Sequence, residues 1–209
     1  MYSRLVGSEM CIRDSSKNVV SFKANDFMDF KLKIKKNKDI GTVFMEIARN
    51  KYPSKSYLKK IRRICDEKKI VLIFDECTTG FRECMMGMHN KYKIYPDIAV
   101  YGKSLGNGYA INAIVGKKEI MENANKTFIS STFWTERIGF TAALSALDQI
   151  DKKEPWKHVI ELGKIIKHKI KVLSKKHKIK VDIFGIDSIP SFKFSYKNDL
   201  EYRTFLTQE

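Results

Sequence analysis

Several absences narrow what this chain can be. The four cysteines, Cys11, Cys65, Cys77 and Cys84, contain no CxxC pair. No Cys/His cluster has zinc-finger spacing, and His89, His158, His168 and His177 are scattered, so no metal site is expected. Free cysteines are the default of a reducing cytosol, which gives a cytoplasmic location as the expectation. No apolar run approaches the roughly 20 residues of a membrane-spanning helix. The longest, Ile70 to Phe74, has the length of a strand. Residues 1–15, MYSRLVGSEMCIRDS, lack the apolar core of a signal peptide. They resemble translated sequencing-adapter sequence and are set aside, which implies that the native chain was cut here. There is no internal repeat.

Arginine is also scarce, with 8 against 32 lysines, in a chain of 209 residues and net charge +16. The excess is uneven: +10 over residues 16–69, −1 over 70–151 and +7 over 152–209. Nucleic-acid readers lean on arginine for bidentate contacts. A neutral centre flanked by lysine fits solvated surface better, and no nucleic-acid or membrane partner is expected. Hydrophobic residues make up 43%, enough to bury a core and against wholesale disorder.

Along the chain, 41–47 (GTVFMEI) reads as a short buried strand. Pro53 opens a helix over 54–69, with Tyr57, Leu58, Ile61, Ile64 and Cys65 on one face. Continuous apolar runs at 70–74, 98–101 and 111–115 read as parallel-type strands, the first covered on both faces. Helices are expected over 136–150 and 155–176, and strands over 180–184 and 191–196, the last alternating as a half-exposed antiparallel strand does. Residues 16–40 give no clear assignment. The fold class is therefore α/β, a mainly parallel sheet with helices, followed from about residue 150 by the start of an α+β piece.

Three places could carry chemistry. FDECTTGFRE, 74–83, ends a buried strand directly in Asp75 and Glu76. Ligands of parallel α/β sheets bind at such carboxyl ends, although a helix cap or salt bridge would explain the acids equally well. YGKSLGNGY, 101–109, sets Lys103 one glycine after a strand. A phosphate loop would need glycine at position 97, which is Asp, so that reading fails. A strand-end lysine near a strand-end acid fits a Schiff-base lysine instead. Ser130, Ser131 and Thr132 precede an apolar helix, where hydroxyls and amides can hold a phosphate or simply cap the helix.

Taken in order, the acid, a lysine 28 residues later and hydroxyls 29 residues beyond that form a pattern. Here the sequence resembles the class III aminotransferases, fold-type I enzymes that use pyridoxal 5′-phosphate, and within them the branch of glutamate-1-semialdehyde 2,1-aminomutase. RRICDEKKIVLIFDECTTGFRE resembles the family's helix, strand and IFDEV-x-TGFR box, and PDIAVYGKSLGNGYAINAIVGKKEIM its lysine stretch. The likeness is strong over 41–147. It implies that Lys103 forms the Schiff base with the cofactor and that Asp75 pairs with the pyridine nitrogen. It further implies that Cys77 packs on the ring, where valine is usual, and that Thr78 lies near the phenolic oxygen. Ser131 and Thr132 fall at the cofactor phosphate, Thr132 at that of a neighbouring subunit, which implies a homodimer with a shared site. Gly106 and Gly108 let the loop approach closely.

By the same resemblance, 16–150 is the C-terminal part of the cofactor-binding large domain, and 151–209 is a linking helix with the truncated start of a small domain. The family's motif has small residues and proline where this chain has Trp134 and Arg137. The expected activity is therefore amino-group transfer between a small-molecule donor and an aldehyde or keto acceptor, as aminomutase or as transaminase, with these 209 residues alone inactive. A catalytically dead module of the same fold and a basic nucleic-acid-binding domain are the alternatives. The intact Asp75 and Lys103 pair weighs against the first, the neutral centre against the second.

Overall fold

A computed structural model describes residues 4–6 (backbone only), 18–129, 133 and 136–209. The expected phosphate-side residues Ser131 and Thr132, and with them Ser130 and Trp134, lie outside the described residues.

Helix α1 (Phe27–Lys36) starts where the Asp26 carboxylate accepts from the Asp29 N–H, and it buries Phe30 and Ile34 one turn apart. Strand β2 (Ile40–Glu46) follows. Helix α2 (Lys55–Lys68) is capped by Ser54, whose Oγ accepts from Tyr57 N–H at 3.1 Å, and it ends at Lys69 in the left-handed region. Its face of Tyr57, Leu58, Ile61, Ile64 and Cys65 is buried, as the spacing predicts. The helix carries the chain back, so β3 (Val71–Asp75) lies parallel to β2, and β4 (Ile98–Tyr101) continues parallel to β3 after the short helix α3 (Met88–Tyr92). Glu46 and Asp75 are strand partners, and Asp75 is paired with Val100.

The strand expected at 111–115 is β5 (Ala113–Gly116), and it runs antiparallel to β4. This corrects the parallel reading. The connection of residues 102–112 holds only a 3-10 turn, Lys103–Leu105, which is too short to return the chain to the start of the sheet. The sheet order is β1-β2-β3-β4-β5, with β1 (Arg4–Val6) parallel to β2 at one edge. That segment belongs to the residues set aside above, and an open edge pairs with any short extended piece.

The sheet buries one side chain set, Val43, Met45, Leu72, Phe74, Ala99 and Tyr101. Val71, Ile73, Asp75, Ile98 and Val100 point the other way and are only half-buried, and Ile114 of β5 is exposed. The covering of 70–74 on both faces is thus realised on one. Two apolar clusters lie on the buried face. The larger joins α1, α2, Met88, Ile94 and Ile186; the second joins Phe81, Ala99, Tyr101 and Leu105 to α5 (Arg137–Lys153) and to Trp156. After the short helix α4 (Lys118–Met121) and α5 come α6 (Trp156–Lys176), an antiparallel pair β6 (Val181–Phe184) and β7 (Ser191–Phe194), and α7 (Asp199–Gln208). The turn between β6 and β7 is tied back to the sheet by the side chain of Glu83, which is fully buried. Glu83 accepts from Tyr52 Oη at 3.0 Å, from Lys91 Nζ at 2.5 Å and from Ser188 N–H at 3.1 Å. Among the described residues, no helix is long and apolar enough to cross a membrane.

Candidate active site

Parallel pairing puts the carboxyl ends of β2, β3 and β4 at one edge of the sheet, so Glu46, Asp75 and Gly102-Lys103 gather there. Two turns build the edge. The turn after β3 begins where Glu76 N–H donates to Val100 O at 2.9 Å, and it closes where Gly80 N–H donates to Glu76 O at 2.7 Å. The turn after β4 is the 3-10 turn that carries Lys103.

Asp75 is half-buried, and its Oδ1 accepts from Cys77 N–H at 2.9 Å. This closes a tight turn; it is neither the helix cap nor the salt bridge of the plain alternative, since the next helix begins only at Met88. Oδ2 has no protein partner among the described residues. Lys103 is exposed, in the left-handed region at φ +43, and its Nζ donates to Thr78 Oγ1 at 2.8 Å with Cys77 Sγ at 3.7 Å. The structure thus brings Asp75, Cys77, Thr78 and Lys103 to one edge, as the sequence order predicts. Gly102 is tightly enclosed: a Cβ there would stand 2.7 Å from Cys77 Sγ and 2.5 Å from Asn112 Oδ1. Gly106 faces Tyr109 O, which a Cβ would meet at 2.2 Å, and Gly108 has φ +106, so the loop needs both glycines.

Glu76, next to Asp75, faces away from the edge and is fully buried. It accepts from the Thr79 hydroxyl and, at 2.8 Å, from His89 N–H, and His89 Nδ1 lies 2.9 Å from its Oε1. Gly87 leaves the room this carboxylate fills, since a Cβ there would meet Oε2 at 2.7 Å. The two adjacent acids of the motif therefore divide their work: Asp75 faces the edge and Glu76 anchors the turn beneath it. At the other end of the strands Asp97 accepts from Leu72 N–H at 2.8 Å and from Arg62 at 2.9 Å, and pairs with Lys117 at 2.7 Å. Burial alone would raise this carboxyl, but the amide and the two cations outweigh it and hold it below the ordinary carboxylate value.

The sequence reading missed Arg82, Asn112 and the roles of Gly102 and Glu76. Arg82 and Asn112 carried no spacing signal of their own. Arg82 becomes visible once the two turns are packed, when its Nε donates to Ser104 Oγ at 3.0 Å, and Asn112 once its own connection folds against Gly102. A groove of about 500 Å³ lies between the lysine loop and α5, lined by Ser104, Asn107, Tyr109, Ser145 and Gln149; neither Asp75 nor Lys103 lines it.

The donor set suits pyridoxal 5′-phosphate. A primary amine can take its aldehyde, a carboxylate its ring nitrogen and a hydroxyl its phenolic oxygen, while a glycine without Cβ leaves the approach open beside them. Comparison with known proteins agrees. The aminotransferase class-III family model matches residues 32–205. The chain is 34% identical over 197 residues to the glutamate-1-semialdehyde 2,1-aminomutase of Methanocaldococcus jannaschii, covering 90% of this chain and 46% of that protein. It is 40% identical over 144 residues to that of Nitrosopumilus maritimus, covering 66% of this chain and 34% of that one. Among solved structures it resembles the FumI protein of Sphingopyxis sp. in its PLP internal aldimine form, with TM-score 0.85 at 22% identity over 96% of this chain and 53% of that chain. It also resembles the acetylornithine aminotransferase of Elizabethkingia anophelis, with TM-score 0.80 at 20% identity over 97% of this chain and 54% of that chain. These likenesses to solved structures carry the fold, an α/β aminotransferase large domain. The chain spans about half the length, or less, of the relatives it matches. It belongs to the class III aminotransferase family, whose cofactor is pyridoxal 5′-phosphate.

Proposed function

We propose that this chain carries the lysine-bearing part of the active site of an enzyme that moves an amino group between a small-molecule donor and an aldehyde or keto acceptor. The observation that supports it most is the pairing of Lys103 Nζ with Thr78 Oγ1 at the edge that also presents Asp75. When bound, pyridoxal 5′-phosphate supplies an electron sink for the carbon that bears the amine. Asp75 Oδ2 would hold a proton on the ring nitrogen, as a carboxylate beside a basic nitrogen favours its charged form. Lys103 would hold the cofactor through its amine, and the freed amine would serve as the base that moves a proton at the amine-bearing carbon. Thr78 Oγ1 receives the lysine when it is not engaged, and Cys77 packs beside it. Thr132 and Ser131 belong to the phosphate side, Thr132 across a homodimer.

The names of the more similar curated relatives support the aminomutase branch, in which the amine returns to the neighbouring carbon of the same substrate. A transaminase that releases it to a second substrate uses the same residues. Loading the protein with pyridoxal 5′-phosphate and supplying glutamate 1-semialdehyde, or paired amino donors and keto acids, tests the reading. Amine transfer that is lost in Lys103→Ala supports it. Transfer that survives in Lys103→Ala refutes it.

A further inference from the structure

We propose that Arg82 is a positioning residue for Lys103, acting through Ser104; this rests on the reading of Lys103 given above. The two turns of the edge pack residue against residue. Cys77 lies against Gly102, Thr78 accepts from Lys103, the Phe81 ring packs on Tyr101 with centroids 5.3 Å apart, and Arg82 Nε donates to Ser104 Oγ at 3.0 Å. Arg82 closes this series at its outer end.

Two features give the contact a purpose. Lys103 is an L-residue in the left-handed region, a conformation that relaxes unless its surroundings hold it. The hydrogen bonds within its own turn, Leu105 N–H to Gly102 O and Asn107 N–H to Lys103 O, move with the turn and cannot fix it to the sheet. Arg82, in turn, is half-buried, and among the described residues Ser104 is its one side-chain hydrogen-bond partner and no carboxylate pairs with it. A guanidinium drawn from water without a counter-ion is costly, so an ion pair does not explain its place.

The contact matters most when the site works. Lys103 Nζ leaves Thr78 whenever it engages cofactor or takes a proton from substrate. Among the described residues, the Arg82 to Ser104 hydrogen bond is then the polar side-chain link that remains between the turns. It holds the residue after Lys103, and so the lysine backbone, while Nζ is alternately bound and released.

The test uses Arg82→Ala, Arg82→Lys, Ser104→Ala and the Arg82→Ala/Ser104→Ala double variant. The rate at which each captures pyridoxal 5′-phosphate is followed by the visible absorption of the attached cofactor, and the asymmetry of its surroundings by visible circular dichroism. Loss of one charge-assisted hydrogen bond predicts capture about tenfold slower in each alanine variant, with a weaker dichroic band. The double variant should be no slower than either single one, and Arg82→Lys, which can still donate to Ser104, should recover most of the rate. Wild-type capture and dichroism in Arg82→Ala, or additive losses in the double variant, overturn the proposal even where the melting temperature falls. Amide hydrogen exchange over residues 103–109 of the cofactor-free protein reads the same link without the cofactor. Faster exchange in both single variants supports it, and unchanged exchange overturns it. A wild-type protein that captures no cofactor would count against the role of Lys103, and exchange would then decide the Arg82 link alone.

Discussion

Lys103 Nζ donates to Thr78 Oγ1 across 2.8 Å, joining two turns that lie 25 residues apart in the chain. The contact exists because β3 and β4 are parallel neighbours, so their carboxyl ends face the same side and each strand delivers its turn to one edge. Asp75 enters that edge by the same pairing. Sheet topology thus brings an acid and a lysine far apart in the chain to one candidate site.

Lys103→Ala should leave the fold standing and abolish covalent cofactor capture. The side chain is exposed and adds little to the core. Circular dichroism in the far ultraviolet and a melting curve close to wild type, together with loss of the visible band, are the expected result.

Asp75→Asn should keep some cofactor binding and lose most of the rate. The amide can still accept from Cys77 N–H, so the turn survives. It cannot hold a proton on the ring nitrogen, and each lost factor of ten corresponds to about 1.4 kcal/mol of barrier. Steady-state kinetics with near-normal turnover would make Asp75 the structural cap of its turn and nothing more.

Glu76→Ala should destabilise the protein by about 3 kcal/mol, because the Thr79 hydroxyl and the His89 N–H would be buried without an acceptor. Glu76→Gln keeps an acceptor and should cost about 1 kcal/mol. Urea midpoints at unchanged slope measure both. Equal losses in the two variants would show that the carboxylate charge, not its acceptor geometry, stabilises the turn.

Asp97 gives the fold a dependence on acid. Its carboxyl is held below the ordinary value of 3.8 in the folded chain. A group depressed in this way binds its proton more readily when unfolded, so its contribution is full above that ordinary value and is lost as the pH falls below it. Asp97→Asn should therefore be less stable than wild type at neutral pH, by about 2 kcal/mol. The gap should narrow as the pH falls below 3.8. Denaturant midpoints that differ equally at all pH values would contradict this.

Much of the fold was legible because apolar spacing set it. Helix α2, strands β3 and β4, and helix α6 fall within a residue of the expected bounds, since each carries its own periodicity and its own capping or breaking residue. Helix α1 was not seen. Its two buried residues, Phe30 and Ile34, are diluted by four lysines and Asp29, and its cap, Asp26, gains meaning only beside the sheet it packs on. The direction of β5 was missed because an apolar run carries no direction; the short connection of residues 102–112 decides it. At the site, Asp75, Cys77, Thr78 and Lys103 were visible from order along the chain. Arg82 was not, because its partner lies 22 residues away across a turn-on-turn contact that parallel pairing creates, and Asn112 was not, because it meets Gly102 only when the connection folds back into the antiparallel β5.

The central claim is that Lys103 is the residue that binds the cofactor. Reducing the cofactor-loaded protein with borohydride fixes the cofactor to whichever amine holds it, and mass mapping of the digested peptides then names that amine. The expected result is the reduced cofactor on Lys103, in the peptide containing Tyr101-Gly102-Lys103-Ser104, and none in a Lys103→Ala protein. Reduced cofactor on any of the other lysines, with Lys103 unmodified, would contradict the account.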